Sequence, residues 1–341
     1  MTDAAVDVVI VGGGPCGLAA AISASRAGLR AVVLEGGSLV STISHYPTYA
    51  TFFSTAEKLS LGGLPFVIAA DKPTRRDALV YYRAVVKYFG IAVRQYERVT
   101  SIDRDHTGFT VHSSSRAEGN RTTKARAVVV ATGYFGSPNY LRVPGEDLPH
   151  VSHVYREGHE AFQQDAVVIG GGNSAAEAAL DLWRSGAKSV TLVHFGSTFD
   201  KKIKPWVLPD FVNREKEGSI GARWDSRVES IERDSVTIST PRGDERLKAE
   251  LVYVMTGFAP NMDLLRACGV PIDLVTGIPS HDAQTLETTI PGLFIAGVVV
   301  AGFDANKVFI ENGRFHGDRI VARITGRAAP AEPRLSAELD T

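Results

Sequence analysis

The stretch VGGGPCG, residues 11–17, places Cys16 inside a glycine-rich turn, and Cys16 is one of only two cysteines in 341 residues. A thiol acts as nucleophile and redox group through its thiolate. The glycines around it serve another chemistry. Gly12, Gly14 and Gly17 stand at G-x-G-x-x-G spacing after the β-branched run Asp7–Val11, with Pro15 and Cys16 between the last two. Such glycines permit a tight turn and bring backbone close to a pyrophosphate, while the next helix offers its unpaired N–H groups to the phosphates. A small-residue helix is predicted to about Ala27. The segment Ala31–Glu35 reads as the second strand, and Glu35 at its end can accept from a ribose hydroxyl. Strand, turn, helix, strand and acid in this order form a dinucleotide fingerprint.

The arrangement recurs. Asp165–Ile169 reads as a strand, followed by Gly170, Gly171, Gly172, Asn173, Ser174 and Ala175, with alanine in the third glycine position. A helix to about Ser185 and a strand Ser189–Val193 follow. Each half also carries a closing strand with a Thr-Gly pair behind it. These are Val128–Ala131 with Thr132 and Gly133, and Leu251–Met255 with Thr256 and Gly257. Two copies of one plan predict two dinucleotide domains.

The residue ending the second strand separates the two sites. Glu35 favours an unmodified adenosine ribose, which suits FAD. The second half has His194 where an acid would stand, with Lys201 and Lys202 shortly after. An acid there repels a 2′-phosphate and these residues do not, so this half is predicted to bind NADPH. The segment Thr288–Ala296 reads as a strand that returns to the first domain, followed by Gly297, Val298 and a long helix over about 304–324; in flavoproteins of this class the N-terminus of such a helix points at the flavin pyrimidine. The predicted fold is therefore α/β, with two Rossmann-like three-layer domains and the NADPH domain inserted into the FAD domain. The FAD domain takes residues 1–151 and 276–341, and the NADPH domain takes 152–275. The joints fall near Pro144-Gly145 and Pro271. Gly36, Tyr46, Val99, Asp304, Asn306 and Lys307 complete the candidate FAD set.

Composition narrows the remaining classes. A net charge of −1 gives no electrostatic case for nucleic acid or an anionic membrane. The longest apolar runs are about half of what a spanning helix needs. The N-terminus has no signal-peptide pattern, and two distant cysteines suit a reducing cytoplasm. The nine histidines show no metal-ligand spacing, so no metal is expected. The stretch from about Arg327 reads as a loose tail.

Two fused Rossmann halves with this spacing resemble the low-molecular-weight thioredoxin reductase superfamily. Its members carry a C-x-x-C just before the second fingerprint strand. That region here, residues 153–165, reads HVYREGHEAFQQD and has no cysteine. The dithiol relay of a thioredoxin reductase is thereby excluded. The chain is more similar to the YpdA-type flavoproteins, which are assigned as bacillithiol disulfide reductases. The matching segments are GGGPCGL (12–18), YPTYATFFST (46–55), ALVYYRAVVKY (78–88), ATGYFG (131–136), IKPWVLPDF (203–211) and AGFDANKVFIENGRFHG (301–317). The superfamily's Gly-Asp after the returning strand is Gly297-Val298 here, and Asp304 and Asn306 are the candidates to replace that acid.

Cys16 admits two readings from the residues alone. One is a small residue filling a turn. The other is a nucleophile, favoured by the helix N-terminus, which lowers a thiol pKa, and opposed by the pyrophosphate. The resemblance implies the second, with Cys16 forming a mixed disulfide with a low-molecular-weight thiol. Cys268 reads as packing, whereas Trp206 and Phe211 suit either packing or a pocket wall. The expected function is NADPH-dependent reduction of a small-molecule disulfide by a homodimer or homotetramer. Other classes share the two fingerprints. They are a ferredoxin, flavodoxin or quinone reductase without a thiol step, a flavin monooxygenase, and a redox sensor that binds both nucleotides.

Overall fold

A computed structural model describes residues 5–200, 203–304 and 307–328. Two compact units form. The first holds the chain through Ser44, Thr51–Gly136 and the part from Ala259 onward; the second holds His45–Ala50 and Ser137–Phe258.

In the first unit the strand Val6–Val11 is the centre of a parallel sheet. It pairs on one side with Ala31–Glu35 and on the other with the C-terminal half of the long strand Gly119–Val130. The returning strand Leu293–Ile295 adds parallel to that half, Leu293 opposite Val128 and Ile295 opposite Val130. The N-terminal half of Gly119–Val130 instead pairs antiparallel with Phe109–Ser115, which pairs with Glu97–Arg104. Strand periodicity divides the core between two faces. Val9, Val11, Val128, Val130, Leu293 and Ile295 pack on one side with Met262, Leu265 and Val270. Val8, Ile10, Val129 and Phe294 pack on the other with Ala20, Ala21 and Ile320. A parallel sheet covered on both faces is the doubly wound arrangement.

The second unit repeats the plan. Its parallel sheet runs Gly221–Arg223, Ser189–Val193, Asp165–Ile169, Leu251–Val254 and Val151–Ser152. One face carries the helix Asn173–Arg184 through Ala175, Ala179 and Leu182. The other carries an antiparallel sheet of Arg227–Ile231, Ser235–Thr240 and Gly243–Lys248, through Val236, Ile238 and Leu247.

The expected domain limits and the packing differ at two segments. Residues 137–151 pack with the second unit. Ile231 N donates to the Pro144 carbonyl at 2.8 Å, and Glu146 accepts from Leu141 N and Arg142 N at 2.7 Å each. Pro144-Gly145 is thus held inside a unit. Residues 259–275 pack with the first unit, because Met262, Leu265 and Val270 close its core. The units part at 136/137 and 258/259.

The helix expected over 304–324 is two pieces, Ile310–Gly313 and His316–Thr325, and the intervening residues Arg314–Phe315 break its course. Two side chains account for this. Asn312 accepts from Phe309 N at 2.8 Å and donates to the Lys307 carbonyl at 2.9 Å, so the helix cannot begin before Ile310. Gly313 is held against the sulfur of Cys16, where a Cβ would stand 2.7 Å from Sγ. Glycine weakens a helix interior, and the second piece restarts at His316.

His316 is buried, and its Nδ1 accepts from Gly297 N at 3.1 Å. Burial, with smaller contributions from Arg319 and His281, lowers its pKa to about 4 from 6.5. The folded value is below the unfolded one. Its contribution is therefore complete above about pH 6.5 and is lost as pH falls towards 4. In urea unfolding between pH 7 and pH 4.5, the wild type should lose on the order of 2–3 kcal/mol more stability than His316→Gln, whose amide oxygen can still accept from Gly297. Equal losses would exclude this role for the histidine.

Candidate dinucleotide and thiol sites

The first fingerprint is built by close backbone approach. Gly12 has φ +109°, and a Cβ on it would stand 2.4 Å from the Ala131 carbonyl oxygen. A Cβ on Gly17 would stand 2.0 Å from the Gly12 carbonyl oxygen. Only glycine brings the turn, the helix and the closing strand this near. Thr132 and Gly133 follow Ala131 and are drawn to the same edge. Glu35 then locks the turn. Its Oε2 accepts from Gly13 N at 2.7 Å and its Oε1 from Gly37 N at 2.8 Å. The acid expected to read a ribose thus also holds the two backbone loops beside it. Gly36 lies against Arg98, the neighbour of buried Val99.

The turn fits a dinucleotide. The helix Pro15–Arg26 has Gly14 as its N-cap, no side-chain cap and no acid in its first turn, which leaves its N–H groups available to an anion. A Cβ on Gly14 or Gly133 would meet nothing within 4 Å, so both line open space.

Cys16 closes this site from within. Its Cβ and Sγ lie against Gly297, where a Cβ would stand 3.1 and 3.2 Å from them, and its Sγ also lies against Gly313. The sulfur therefore occupies a slot between the loop after the returning strand and the helix Ile310–Gly313. The expected acidification by the helix N-terminus does not prevail. Burial, with Glu311 adding negative charge nearby, pushes the thiol pKa up from 9.0 to about 12. Glu311 is itself bonded to Ser54.

Other candidates lie elsewhere. Asp304 and Lys307, paired at 3.7 Å, line a cavity of about 390 Å³ with Val275, Ile278 and Phe303. Tyr46 lies on the segment His45–Ala50, which packs with the second unit, where Thr48 N donates to the Arg156 carbonyl at 3.0 Å. Cys268 donates to the Ile102 carbonyl at 3.4 Å, and Phe211 is buried against Phe199. Trp206 is 58% exposed. Asn306, Lys201 and Lys202 lie outside the described residues.

The second fingerprint repeats the first. Gly170 has φ +145°, and its Cβ would stand 2.3 Å from the Met255 carbonyl oxygen. The helix Asn173–Arg184 is likewise capped by Gly172, without a side-chain cap or an early acid. Ser174 is in its first turn, and Ala175 is buried beneath. Asn173 accepts from Lys204 N at 2.8 Å. Asn139 ties down the closing loop, its side-chain amide donating to the Thr256 carbonyl at 3.1 Å and its backbone N to the Gly257 carbonyl at 3.0 Å.

His194 corrects a sequence expectation. It does not project as a cation towards a ligand. It is 4% exposed, and its ring lies beneath Gly171, where a Cβ would stand 2.2 Å from it. Burial lowers its pKa below 6.5 and outweighs Asp200 and Asp225, so the ring is neutral at pH 7. It fills the place that Glu35 fills under Gly13.

The residues 9–297 match the pyridine nucleotide-disulphide oxidoreductase model. Bacilliredoxin reductase Bdr of Bacillus subtilis is 44% identical over 94% of this chain and 97% of its own length. Two solved structures titled bacillithiol disulfide reductase Bdr (YpdA) superpose closely. That from Bacillus cereus has TM-score 0.92 at 43% identity, covering 95% of this chain and 100% of its own. That from Staphylococcus aureus has TM-score 0.89 at 39% identity, covering 95% and 99%. This chain belongs to the pyridine nucleotide-disulphide oxidoreductase family, in its YpdA-type branch. It is an oxidoreductase of the flavin thiol–disulfide kind, and membership implies FAD and NADPH as its cofactors. No helix among the described residues is long and apolar enough to cross a membrane.

Glu311, Gly313 and His316 lie in the family-like segment 301–317, but the approach of Gly313 and Glu311 to Cys16 and of His316 to Gly297 comes only through the fold.

Two outcomes are expected. Glu35→Gln turns an amide N–H₂ towards Gly13 N or Gly37 N, so the flavin-to-protein absorbance ratio of the purified variant should fall, from a loss of about 1–3 kcal/mol in the turn. A full flavin complement would show that the acid is dispensable. Iodoacetamide labelling of Cys16, followed by mass spectrometry, should climb about tenfold per pH unit beyond pH 10. Labelling that levels off below pH 9 would contradict the raised thiol pKa.

Proposed function

We propose that the first unit holds FAD and the second NADPH, and that the enzyme reduces a low-molecular-weight thiol disulfide of the bacillithiol type through Cys16 alone. The observation that carries this reading is the position of Cys16. It is the one cysteine among the described residues that lies in a dinucleotide turn, and the turn, the closing strand and the Gly297 loop converge on it. The similarity to bacillithiol disulfide reductases supports the substrate class.

Gly12, Gly14, Pro15, Gly17, Glu35, Thr132, Gly133 and Gly297 hold and orient the flavin, with the free N–H groups of the helix Pro15–Arg26 on its phosphates. Gly170, Gly172, Ser174 and Ala175 do the same for the nucleotide. A thiol with a pKa near 12 is protonated at pH 7, so Cys16 must lose its proton as the disulfide docks. Its sulfur then attacks one sulfur of the substrate. A Cys16 S–S bond forms, the substrate S–S bond breaks, and the departing thiolate takes up a proton. FAD, when bound, would supply the electron pair, drawn from NADPH, that reductive cleavage of the Cys16 mixed disulfide requires, with one proton completing the second thiol. One NADPH and one proton thus convert one disulfide into two thiols. The strand-end residue of the second unit is a neutral imidazole instead of a carboxylate, which removes the repulsion that would exclude NADPH.

Cys16→Ser tests the proposal. Serine fits the turn, so flavin content should be unchanged, and anaerobic NADPH should still bleach the flavin. Steady-state reduction of bacillithiol disulfide should fall well over tenfold, since serine does not form a mixed disulfide. Retained turnover would remove Cys16 from the mechanism. Turnover only with a bacilliredoxin mixed disulfide would change the substrate class to a protein.

A further inference from the structure

We infer that Arg227 is the residue that selects the 2′-phosphate of NADPH. The inference rests on the NADPH reading of the second unit and names the group that carries it out. In a dinucleotide fold the ribose is read at the end of the second strand, and a cation there accommodates a 2′-phosphate. In this chain that strand ends at Val193, with His194 and Phe195 behind it. His194 is buried and neutral, and Phe195 has a ring where a cation would serve. The charge is delivered from another strand.

Two backbone bonds deliver it. Asp225 N donates to the Gly196 carbonyl at 3.0 Å, and Ser226 N donates to the His194 carbonyl at 3.0 Å. Asp225 has φ +49°, a left-handed turn that redirects the chain from Gly221–Arg223 into Arg227–Ile231. Arg227 is the next residue, and its guanidinium sits over the Phe195 ring at 5.0 Å from the centroid. The ring is 61% exposed and serves as a platform for the guanidinium at the strand end.

Among the described residues, two other cations of this unit are already engaged. Arg223 makes two 2.7 Å bonds to Glu245, and Lys204 bonds Glu177 at 2.8 Å. Among the described residues, Arg227 has no carboxylate partner. Its planar fork suits a phosphate. A second observation marks the same place as incomplete: the Nδ1 of buried His194 has no hydrogen-bond partner among the described residues. The acids that face this strand end are Asp225 and Asp200, the latter with an oxygen 3.9 Å from His194 Nε2. They oppose an anion, which makes the cation at Arg227 decisive for selectivity.

Calorimetric titration of the flavin-loaded enzyme with adenosine 2′,5′-bisphosphate and with ADP tests this without turnover. The wild type should bind the 2′,5′-bisphosphate at least tenfold more tightly than ADP. Arg227→Gln should abolish that preference while leaving ADP affinity and flavin content unchanged. Arg227→Lys should keep part of it, and Phe195→Leu should weaken it. In the same variants KM for NADPH should rise with little change in kcat, and KM for NADH should stay constant. A preference that survives in Arg227→Gln would overturn the assignment of Arg227 and leave the NADPH reading standing. No preference in the wild type would overturn the NADPH reading itself, and the assignment with it.

Discussion

The contact on which both halves depend is a glycine pressed onto a carbonyl. Gly12 lies against the Ala131 carbonyl and Gly170 against the Met255 carbonyl, each at a distance no side chain permits. This draws the phosphate turn onto the closing strand and aligns the following helix with the edge of the sheet. Everything placed at that edge follows from it. The strand-end residue slides under the second glycine, the closing Thr-Gly pair comes alongside, and the helix N–H groups are left without side-chain caps.

The same geometry yields two chemistries because one buried position differs. Glu35 is an acceptor with two oxygens and ties Gly13 and Gly37. His194 is a neutral ring that fills the same place by packing, leaving Nδ1 without a partner among the described residues. Burial decides its protonation, since two nearby acids do not restore the charge. The selectivity of the second site is therefore a matter of what else the fold brings to the strand end.

Cys16 illustrates a contest between two opposing effects. A helix N-terminus favours a thiolate by about 0.3–1 kcal/mol at ordinary exposure. Burial of the sulfur, together with the nearby charge of Glu311, raises the pKa from 9.0 to about 12, a shift of about 4 kcal/mol. Burial wins, and Glu311 reinforces it. The slot keeps the thiol protonated at neutral pH.

The two fingerprints, their strands and the return of the chain to the first unit were legible in the residues, because a glycine turn between β-branched runs encodes local geometry with few alternatives. The resemblance in segments such as IKPWVLPDF likewise led to the right family, since that segment belongs to neither nucleotide fingerprint. The helix over 304–324 was misjudged, because its break is caused by Asn312 binding backbone nearby and by Gly313 meeting a residue almost 300 positions away. The joints near Pro144 and Pro271 were placed from turn residues, whereas the units part where side-chain packing changes partner. Glycine spacing and strand pattern are properties of neighbours in sequence, and the sequence by itself determined them. The burial of His194 and Cys16, and the arrival of Arg227 over Phe195, were decided only by the tertiary structure, because desolvation and charge depend on which distant segments close over a group.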